Sequence, residues 1–460
     1  MNRGSTMRVT VIGTGYLGAT HAACMAELGA EVLGVDIDPD RVKALSESRV
    51  PFYEPGLEDM LQRHVASGRL SFTMDAQRAA EFGDVHFLCV GTPQQADSGS
   101  ADLRYLYATI DALAPHLRRP CLIVGKSTVP VGTAARLTER LERQVPPGVQ
   151  VEVAWNPEFL QEGTAVENTL NPDRLVFGVN SDFAREMLYD VYAELIDRGV
   201  PVVVSDIATS ELIKSSANAF LATKVSFINA IAEMCEAAGA DVRKLAEALS
   251  FDPRIGHSYM RPGIGFGGGC LPKDLRALRA RADEIGVGHA LRFLGEVDEI
   301  NLRARDRVVE LAREECGGSP AGRRICVLGA AFKPNSDDIR DSPALAVAVA
   351  LRELGGEVSV YDPKAADNAR KQFPDLDYGL SAAEAAEGAA LVLHLTEWDE
   401  FGEMDPAAIG AVVAERRIID GRNTLDGDRW RAAGWRYRAL GRNVPGPAPA
   451  RFLPGRLPAA

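Results

Sequence analysis

No CxxC pair occurs in this chain of 460 residues, and its seven cysteines (24, 89, 121, 235, 270, 316 and 326) are odd in number and scattered. That pattern argues against a disulfide framework and a structural zinc site, and leaves most of them as small buried hydrophobes. Long apolar runs are also missing. A stretch such as 344–351 is far too short to cross a bilayer. The polar start leads straight into Val9-Thr10-Val11-Ile12, a strand and not a signal-peptide core, so a cytoplasmic protein with no membrane partner is expected. Nor is there an excess of basic charge. Lys plus Arg is 51 against 64 Asp plus Glu, a net charge of −13. Such a surface repels a nucleic-acid backbone, so a DNA or RNA binder is disfavoured, and any anionic ligand needs a local basic pocket. No short-period repeat is visible. With 46% hydrophobic and 25% charged residues, the composition is that of a folded globular protein.

What is present is alternation. Arg8–Ile12 reads as a strand, 19–28 as a helix closed by Gly29, and Glu31–Val35 as a second strand ending at Asp36. Strands at 85–90, 121–124, 151–153 and 175–179 continue the pattern, with helices at 106–117 and 133–144. From 206 to 314 strand signals vanish, helical composition takes over, and a glycine-rich interruption sits at 262–269. Strands return at 325–329, with a helix at 343–354 and further strands at 357–361, 390–395 and 417–419. The predicted fold is therefore α/β: two Rossmann-like, doubly wound parallel-sheet domains, 7–205 and 315–443, joined by a helical connector, 206–314. Residues 444–460 hold five prolines and two glycines and read as a disordered tail.

Five constellations can carry chemistry. Gly13-Thr14-Gly15-Tyr16-Leu17-Gly18 follows a strand and opens a helix, and Asp36 ends the next strand, as a dinucleotide pyrophosphate and ribose require. The bland alternative is a tight turn with a surface aspartate. Gly265-Phe266-Gly267-Gly268-Gly269-Cys270 leaves little bulk around a cysteine that precedes a helix. There the dipole and Lys273 would lower the thiol pKa and make it a nucleophile toward an aldehyde; otherwise it is a buried cysteine in a glycine turn. Glu158 and Glu162, four apart after Asn156-Pro157, would share one helix face and do acid–base work, or simply decorate a helix N-terminus. Lys214 and Asn218 are also four apart and could donate to an oxyanion, or be a snorkelling lysine and a satisfied amide. Phe332-Lys333-Pro334 and Asp337–Ser342 follow the first strand of the second domain, where a phosphate loop or a charged surface loop would lie.

Taken together and in this order, the segments 13–18, 126–132, 156–163, 214–220, 265–274 and 331–342 give a chain that resembles the UDP-glucose/GDP-mannose dehydrogenase family, most closely its UDP-glucose branch. Glu162-Gly163 and Asn171-Pro172-Asp173-Arg174 look like that branch; the GDP-mannose branch usually has serine at 163, and N-acetyl-sugar branches arginine at 159. The resemblance implies NAD as cofactor, no metal, and a four-electron oxidation of a sugar nucleotide at C6, with UDP-glucose as substrate. It implies that Cys270 forms a thiohemiacetal and then a thioester. Lys214 and Asn218 would stabilise the oxyanion, Asp274 would assist proton transfer, Glu158 would act as acid–base, and Thr128 would hold a water. For the cofactor it carries over Gly13, Gly15, Tyr16, Leu17, Gly18, Asp36 and Arg41, with Thr92, Ser127, Thr128, Glu162, Lys273 and Arg340 toward the nicotinamide or pyrophosphate. For the sugar nucleotide it carries over Glu158, Phe159, Leu160, Glu162, Lys214, Asn218, Arg254, Tyr259, Phe266, Gly267, Phe332, Lys333 and Arg422, with Tyr259 or Phe266 stacked on uracil. It makes 7–205 the NAD-binding domain, 206–314 a dimerisation region and 315–443 the UDP-sugar-binding domain of a homodimer in which Arg254 reaches the neighbouring subunit's substrate. Two alternatives stay open: the same chemistry on GDP-mannose or a UDP-N-acetylhexosamine, and a binding-only relative that senses NAD or a nucleotide sugar.

Overall fold

The computed structural model describes residues 6–95 and 98–442; the predicted tail and Asn443 lie outside the described residues. Eight strands form the first sheet: β1 (Arg8–Ile12), β2 (Glu31–Val35), β3 (Leu70–Thr73), β4 (Val85–Leu88), β5 (Cys121–Gly125), β6 (Val151–Trp155), β7 (Leu175–Gly178) and β8 (Val202–Ser205), in the order β3-β2-β1-β4-β5-β6-β7-β8. Six form the second: β9 (Arg324–Leu328), β10 (Glu357–Tyr361), β11 (Asp377–Tyr378), β12 (Leu391–His394), β13 (Arg417–Asp420) and β14 (Arg436–Ala439), in the order β11-β10-β9-β12-β13-β14. The central strands β4, β5 and β12 are buried along their whole length. Helices therefore cover both faces, as apolar strands without alternation require.

The first sheet is not wholly parallel, in contrast to the sequence expectation. β7 runs antiparallel to β6, paired through Trp155 and Gly178. The intervening segment carries only the short helix Ala165–Leu170, so the chain turns back at the same end of the sheet instead of crossing over it. This keeps 156–174 at the carboxyl ends of the strands, where open α/β sheets bind ligands. Strands β3, β8, β11 and β14 were not expected. All four are outermost strands of their sheets; β8 is so open that Val203 and Val204 remain 45% and 44% exposed.

The connector is built on one helix, Ile207–Ala238, of 32 residues. Asp206 caps its start through the Thr209 amide, and Gly239, at φ +75°, ends it. It is followed by Val242–Ser250, Leu271–Glu284 and Phe293–Glu315. The last ends at Glu315, beside the predicted boundary, yet its Val308, Leu311 and Ala312 belong to the core of the second domain. The connector is thus packed into the domain it precedes.

Candidate active site

The glycines of the first turn have three different jobs. A Cβ on Gly13, whose φ is +88°, would meet the Val90 backbone at 2.8 Å, and one on Gly18 would stand 1.8 Å from the Gly13 carbonyl oxygen. These two are demanded by the turn and by helix–strand packing. Gly15 caps the helix Tyr16–Glu27, and a Cβ there would meet nothing within 4 Å. The turn thus leaves open space at a helix N-terminus, which fits a pyrophosphate. Asp36 accepts from the Thr14 amide at 2.7 Å and from Arg41 at 3.1 Å. Burial would raise its pKa, but the Asp38 and Thr14 amides and Arg41 outweigh burial and hold it below the ordinary aspartate range. Thr92 donates to the Thr128 carbonyl at 2.8 Å and Ser127 to the Val90 carbonyl at 2.6 Å. Thr92, Thr128, Ser215, Lys273 and Asp274 line one cleft.

The reactive cluster gathers where the connector meets the first sheet. Cys270 caps the helix Leu271–Glu284 and is exposed. Lys214 and Asn218 lie on one face of the long helix, both buried. Lys214 Nζ pairs with Glu158 Oε1 at 3.0 Å, and Asn218 Nδ2 donates to Asp274 Oδ2 at 2.7 Å. Lys273 also pairs with Asp274. Burial opposes the Lys214 charge, but Glu158, and after it Cys270 and Asp274, hold its pKa above the ordinary lysine value. The expected low thiol pKa is not found. Burial, followed by Asp274 and Glu158, pushes the thiol up to about 11 against Lys214 and Lys273. The helix start is where the sequence predicts it; burial, reinforced by the two carboxylates, decides the sign.

The segment 156–163 is an extended loop, not the helix expected from Glu158 and Glu162. Pro157 disfavours a helical Asn156, and Gly163 adopts φ +80° against the Asn335 carbonyl. The two carboxylates therefore go separate ways. Glu158 turns to Lys214, and Glu162 accepts from Ser336 Oγ and Arg340 Nη2 of the second domain, each at 3.0 Å. Burial, then Asp338, pushes Glu162 up to about 7 against Arg340 and Ser336. Glu162, Tyr16, Asp338 and Arg340 line a second cleft between the domains.

The glycine run before Cys270 makes room for protein, not only for ligand. A Cβ on Gly267 would lie 2.2 Å from the Asp341 carbonyl oxygen, one on Gly268 2.7 Å from the Phe332 ring, and one on Gly269 2.3 Å from the Arg340 guanidinium. The Gly268 amide donates to the Arg340 carbonyl at 2.9 Å. The loop 331–342 thus closes directly onto the cysteine loop. Arg422 ties the same elements together, donating to the carbonyls of Leu395 (2.7 Å), Gly265 (3.2 Å) and Phe332 (3.0 Å). Lys333 is brought close to Glu162 and Cys270, and burial lowers its pKa. In the second domain Asp362, the counterpart of Asp36, is spent on the Ala330 and Ala331 amides and the Trp398 indole, consistent with a turn that lacks the GxGxxG pattern.

The remaining predicted residues separate. Phe159 lies under the Arg174 guanidinium, 3.8 Å from its ring centroid, and lines a third pocket with Leu17, Glu158 and Leu160. Tyr259, with an unusual φ of +63°, has its pKa raised by burial, lowered by Lys214 and raised by Cys270, so it borders the cluster. Phe266 is only 8% exposed and packs with Leu275 and Leu294 in the connector core; of the two aromatics proposed for stacking, Tyr259 has the freer face. Arg254 pairs with Asp252 on the surface, its side chain 87% exposed, and among the described residues pairs with no predicted site residue. Sequence reasoning missed the supports. Glu54 accepts from the Gly163 and Ala165 amides and from Tyr16. Asn301 accepts from the Phe266 amide at 2.7 Å. Lys126 and Asn156 bond to one another at 3.0 Å. A lysine directly after an apolar strand was the one available signal; the others depend on contacts remote in sequence.

Comparison with known proteins gives a consistent picture. Residues 7–196 match the NAD binding domain of the UDP-glucose/GDP-mannose dehydrogenase family, 208–303 its central domain and 326–427 its UDP binding domain. The UDP-glucose 6-dehydrogenase of Rhizobium meliloti (strain 1021) is 41% identical over 95% of this chain and all of its own length. The UDP-glucose 6-dehydrogenase TuaD of Bacillus subtilis (strain 168) is 38% identical over 97% of this chain and 96% of its own. The solved structure of a UDP-glucose dehydrogenase from the hyperthermophilic archaeon Pyrobaculum islandicum matches 96% of this chain and all of its own with a TM-score of 0.88 at 36% identity.

Proposed function

The chain belongs to the UDP-glucose/GDP-mannose dehydrogenase family, and from that premise we propose that it is an NAD-dependent oxidoreductase that converts UDP-glucose to UDP-glucuronate at C6. The observation that carries this reading is an accessible thiol, Cys270, at a helix start, next to the Lys214–Glu158 and Asn218–Asp274 pairs, in a chain matched to named UDP-glucose 6-dehydrogenases over nearly its whole length. The net reaction takes one primary alcohol, two NAD and one water to a carboxylate, two NADH and three protons.

Gly13, Gly15, Gly18, Asp36 and Arg41 would hold the cofactor's pyrophosphate and ribose. Bound NAD supplies the hydride acceptor for each of the two oxidations. The chain's own groups do the rest. Lys214 and Asn218 donate to the developing oxyanion at C6, inside a buried cluster where such bonds are strong. Cys270 adds to the aldehyde as its proton leaves, giving a thiohemiacetal, and oxidation of that adduct gives a thioester. Water then releases the acid and restores the thiol. Glu158 and Asp274 are the carboxylates within reach of these proton transfers, and Thr128 is the candidate to hold the water. Lys333, close to Cys270 and Glu162, offers a cation for a diphosphate, an anion that a chain of net charge −13 otherwise repels. Phe159, Leu160 and Tyr259 would contact the sugar nucleotide.

NADH formation with UDP-glucose, GDP-mannose and UDP-N-acetylglucosamine at equal concentration tests this. Two NADH per UDP-glucose, with little from the others, is expected. One NADH per sugar would remove the thioester route. Signal from another sugar alone would overturn the substrate, and none from any would leave a binding protein. UDP-glucuronate would serve polysaccharide synthesis. Among the described residues no helix is long and apolar enough to cross a membrane, and with seven free thiols we assign the work to the cytoplasm.

We further propose that the protein is a homodimer. Phe220, Phe227 and Met234 recur at heptad spacing on the long helix and are 67%, 50% and 66% exposed, an apolar stripe of the kind that marks an interface. Sedimentation should give twice the chain mass of 49.5 kDa, and Phe220→Asp with Phe227→Asp should reduce it to one. A monomeric wild-type protein at micromolar concentration refutes the proposal.

A further inference from the structure

Lys126 follows strand β5 and is 7% exposed. Its ammonium donates to Asn156 Oδ1 at 3.0 Å and to the Tyr192 hydroxyl at 3.2 Å. Tyr192 donates to the same Asn156 oxygen at 2.6 Å, and Asn156 Nδ2 donates to the Val176 carbonyl at 2.9 Å. The rings of Phe87 and Tyr192 stand 5.9 and 5.7 Å from Nζ. Neither hydrogen-bond partner is a carboxylate, so a full charge is buried against neutral dipoles and ring faces. A hydrophobic side chain would be a cheaper filling for such a space.

The charge stands at the root of the loop that carries Glu158. Asn156 is the first loop residue after strand β6, and Glu158 follows two positions later. Six other titratable groups face Lys126. His21 and Cys24 come from the helix Tyr16–Glu27, Cys89 from the end of β4, and Tyr192 from the segment after the helix Asp182–Val191; Glu158 and Lys214 complete the set. His21 is 1% exposed with neither ring nitrogen partnered, and burial with Lys126 keeps it neutral. Burial likewise raises the thiols and Tyr192. Against burial, Cys89 and Glu158 favour the Lys126 charge, and Lys214 opposes it.

We propose that Lys126 is a positioning residue for the oxidation: with Asn156 and Tyr192 it sets the root of the 156–163 loop and so the approach of Glu158 to Lys214 and Cys270. The proposal rests on the reading of the site given above. Burial pushes the Lys126 ammonium down to about 8, against Cys89 and Glu158. Its charge is thus lost as the pH rises through that region, and the loop loosens on the alkaline side.

The test uses the full chain with Lys126→Met, Lys126→Arg and Tyr192→Phe. Lys126→Met should lower kcat by about tenfold to a hundredfold, the scale of a misplaced catalytic group, with KM changed less than about threefold. It should also move Cys270 alkylation by iodoacetamide to lower pH, because Glu158 no longer crowds the thiol. Lys126→Arg, which keeps charge and donors, should recover part of both. Tyr192→Phe, which removes one support, should shift both in the same direction by a smaller factor. Unchanged kcat and alkylation profile in folded Lys126→Met overturn the proposal, as does a lower melting temperature with both profiles unmoved. Should Lys126→Met fail to fold, unchanged profiles in Tyr192→Phe overturn it. If the wild-type chain oxidises no nucleotide sugar, the reading of the site falls, while the alkylation profiles still decide the role of Lys126.

Discussion

Cys270→Ser is expected to lower the overall four-electron oxidation by about 10³-fold or more, because the variant keeps the cleft and loses the nucleophile. The thiol is held up at about 11 by burial, Asp274 and Glu158. At pH 8 the thiolate is then about 10⁻³ of the population, so the proton must leave as the carbon–sulfur bond forms. A serine hydroxyl is a far weaker acid, and its adduct lacks the reactive acyl–sulfur bond that water opens. The variant should stop at the aldehyde, giving at most one NADH per UDP-glucose, with the aldehyde trapped by hydroxylamine. The sign of the pH effect follows from the raised thiol: alkylation of Cys270 should climb with pH and still be rising near pH 10. Two NADH per sugar from Cys270→Ser, at more than about a tenth of the wild-type rate, would remove the covalent role.

Lys214→Met should have the next largest effect. The ammonium pairs with Glu158 at 3.0 Å, and both side chains are largely buried, 7% and 12% exposed. Removing the cation leaves a buried carboxylate without its partner, a change that costs about 3–5 kcal/mol where relaxation is limited. The Leu160 amide, which donates to Glu158 at 2.7 Å, offsets part of that. Loss of the oxyanion donor should separately lower kcat by about 10²–10³-fold. Lys214 has a raised pKa, so its stabilisation is fully present below the ordinary lysine value and lost only above the raised one. Wild-type stability from this group is flat through neutral pH. In the variant an uncompensated carboxylate takes up a proton as the pH falls. Urea unfolding should therefore show a larger deficit at about pH 8 than at about pH 5. An equal deficit at both, with kcat within about threefold of wild type, would refute the pairing argument.

The dinucleotide turn was legible because its constraints are local. Gly13, Gly15 and Gly18 sit within one βα turn, and Asp36 ends the adjoining strand, so spacing alone carries the geometry. Lys214 and Asn218 were legible for the same reason: one turn of one helix puts them on one face. Glu158 and Glu162 have the same spacing of four, but no helix forms there. Pro157, the positive φ of Gly163 and its close contact with Asn335 override it. The glycine run before Cys270 is plain in the sequence, but the room it provides is taken largely by Asp341, Phe332 and Arg340, remote in sequence.

By itself the sequence determined the two α/β units, the helical connector, the cofactor turn and the resemblance that named the chemistry. Each of these is written in residues close together or in the order of motifs along the chain. Tertiary structure alone decided which charges meet. It paired Glu158 with Lys214 and Glu162 with Arg340, spent Arg422 on three carbonyls, turned Phe266 into the core, and set a buried Lys126 behind the loop. It also reversed the expected shift of the Cys270 thiol. The physical reason is that electrostatics and desolvation depend on distance in space, and sequence spacing reports that distance only within a helix, a strand or a turn.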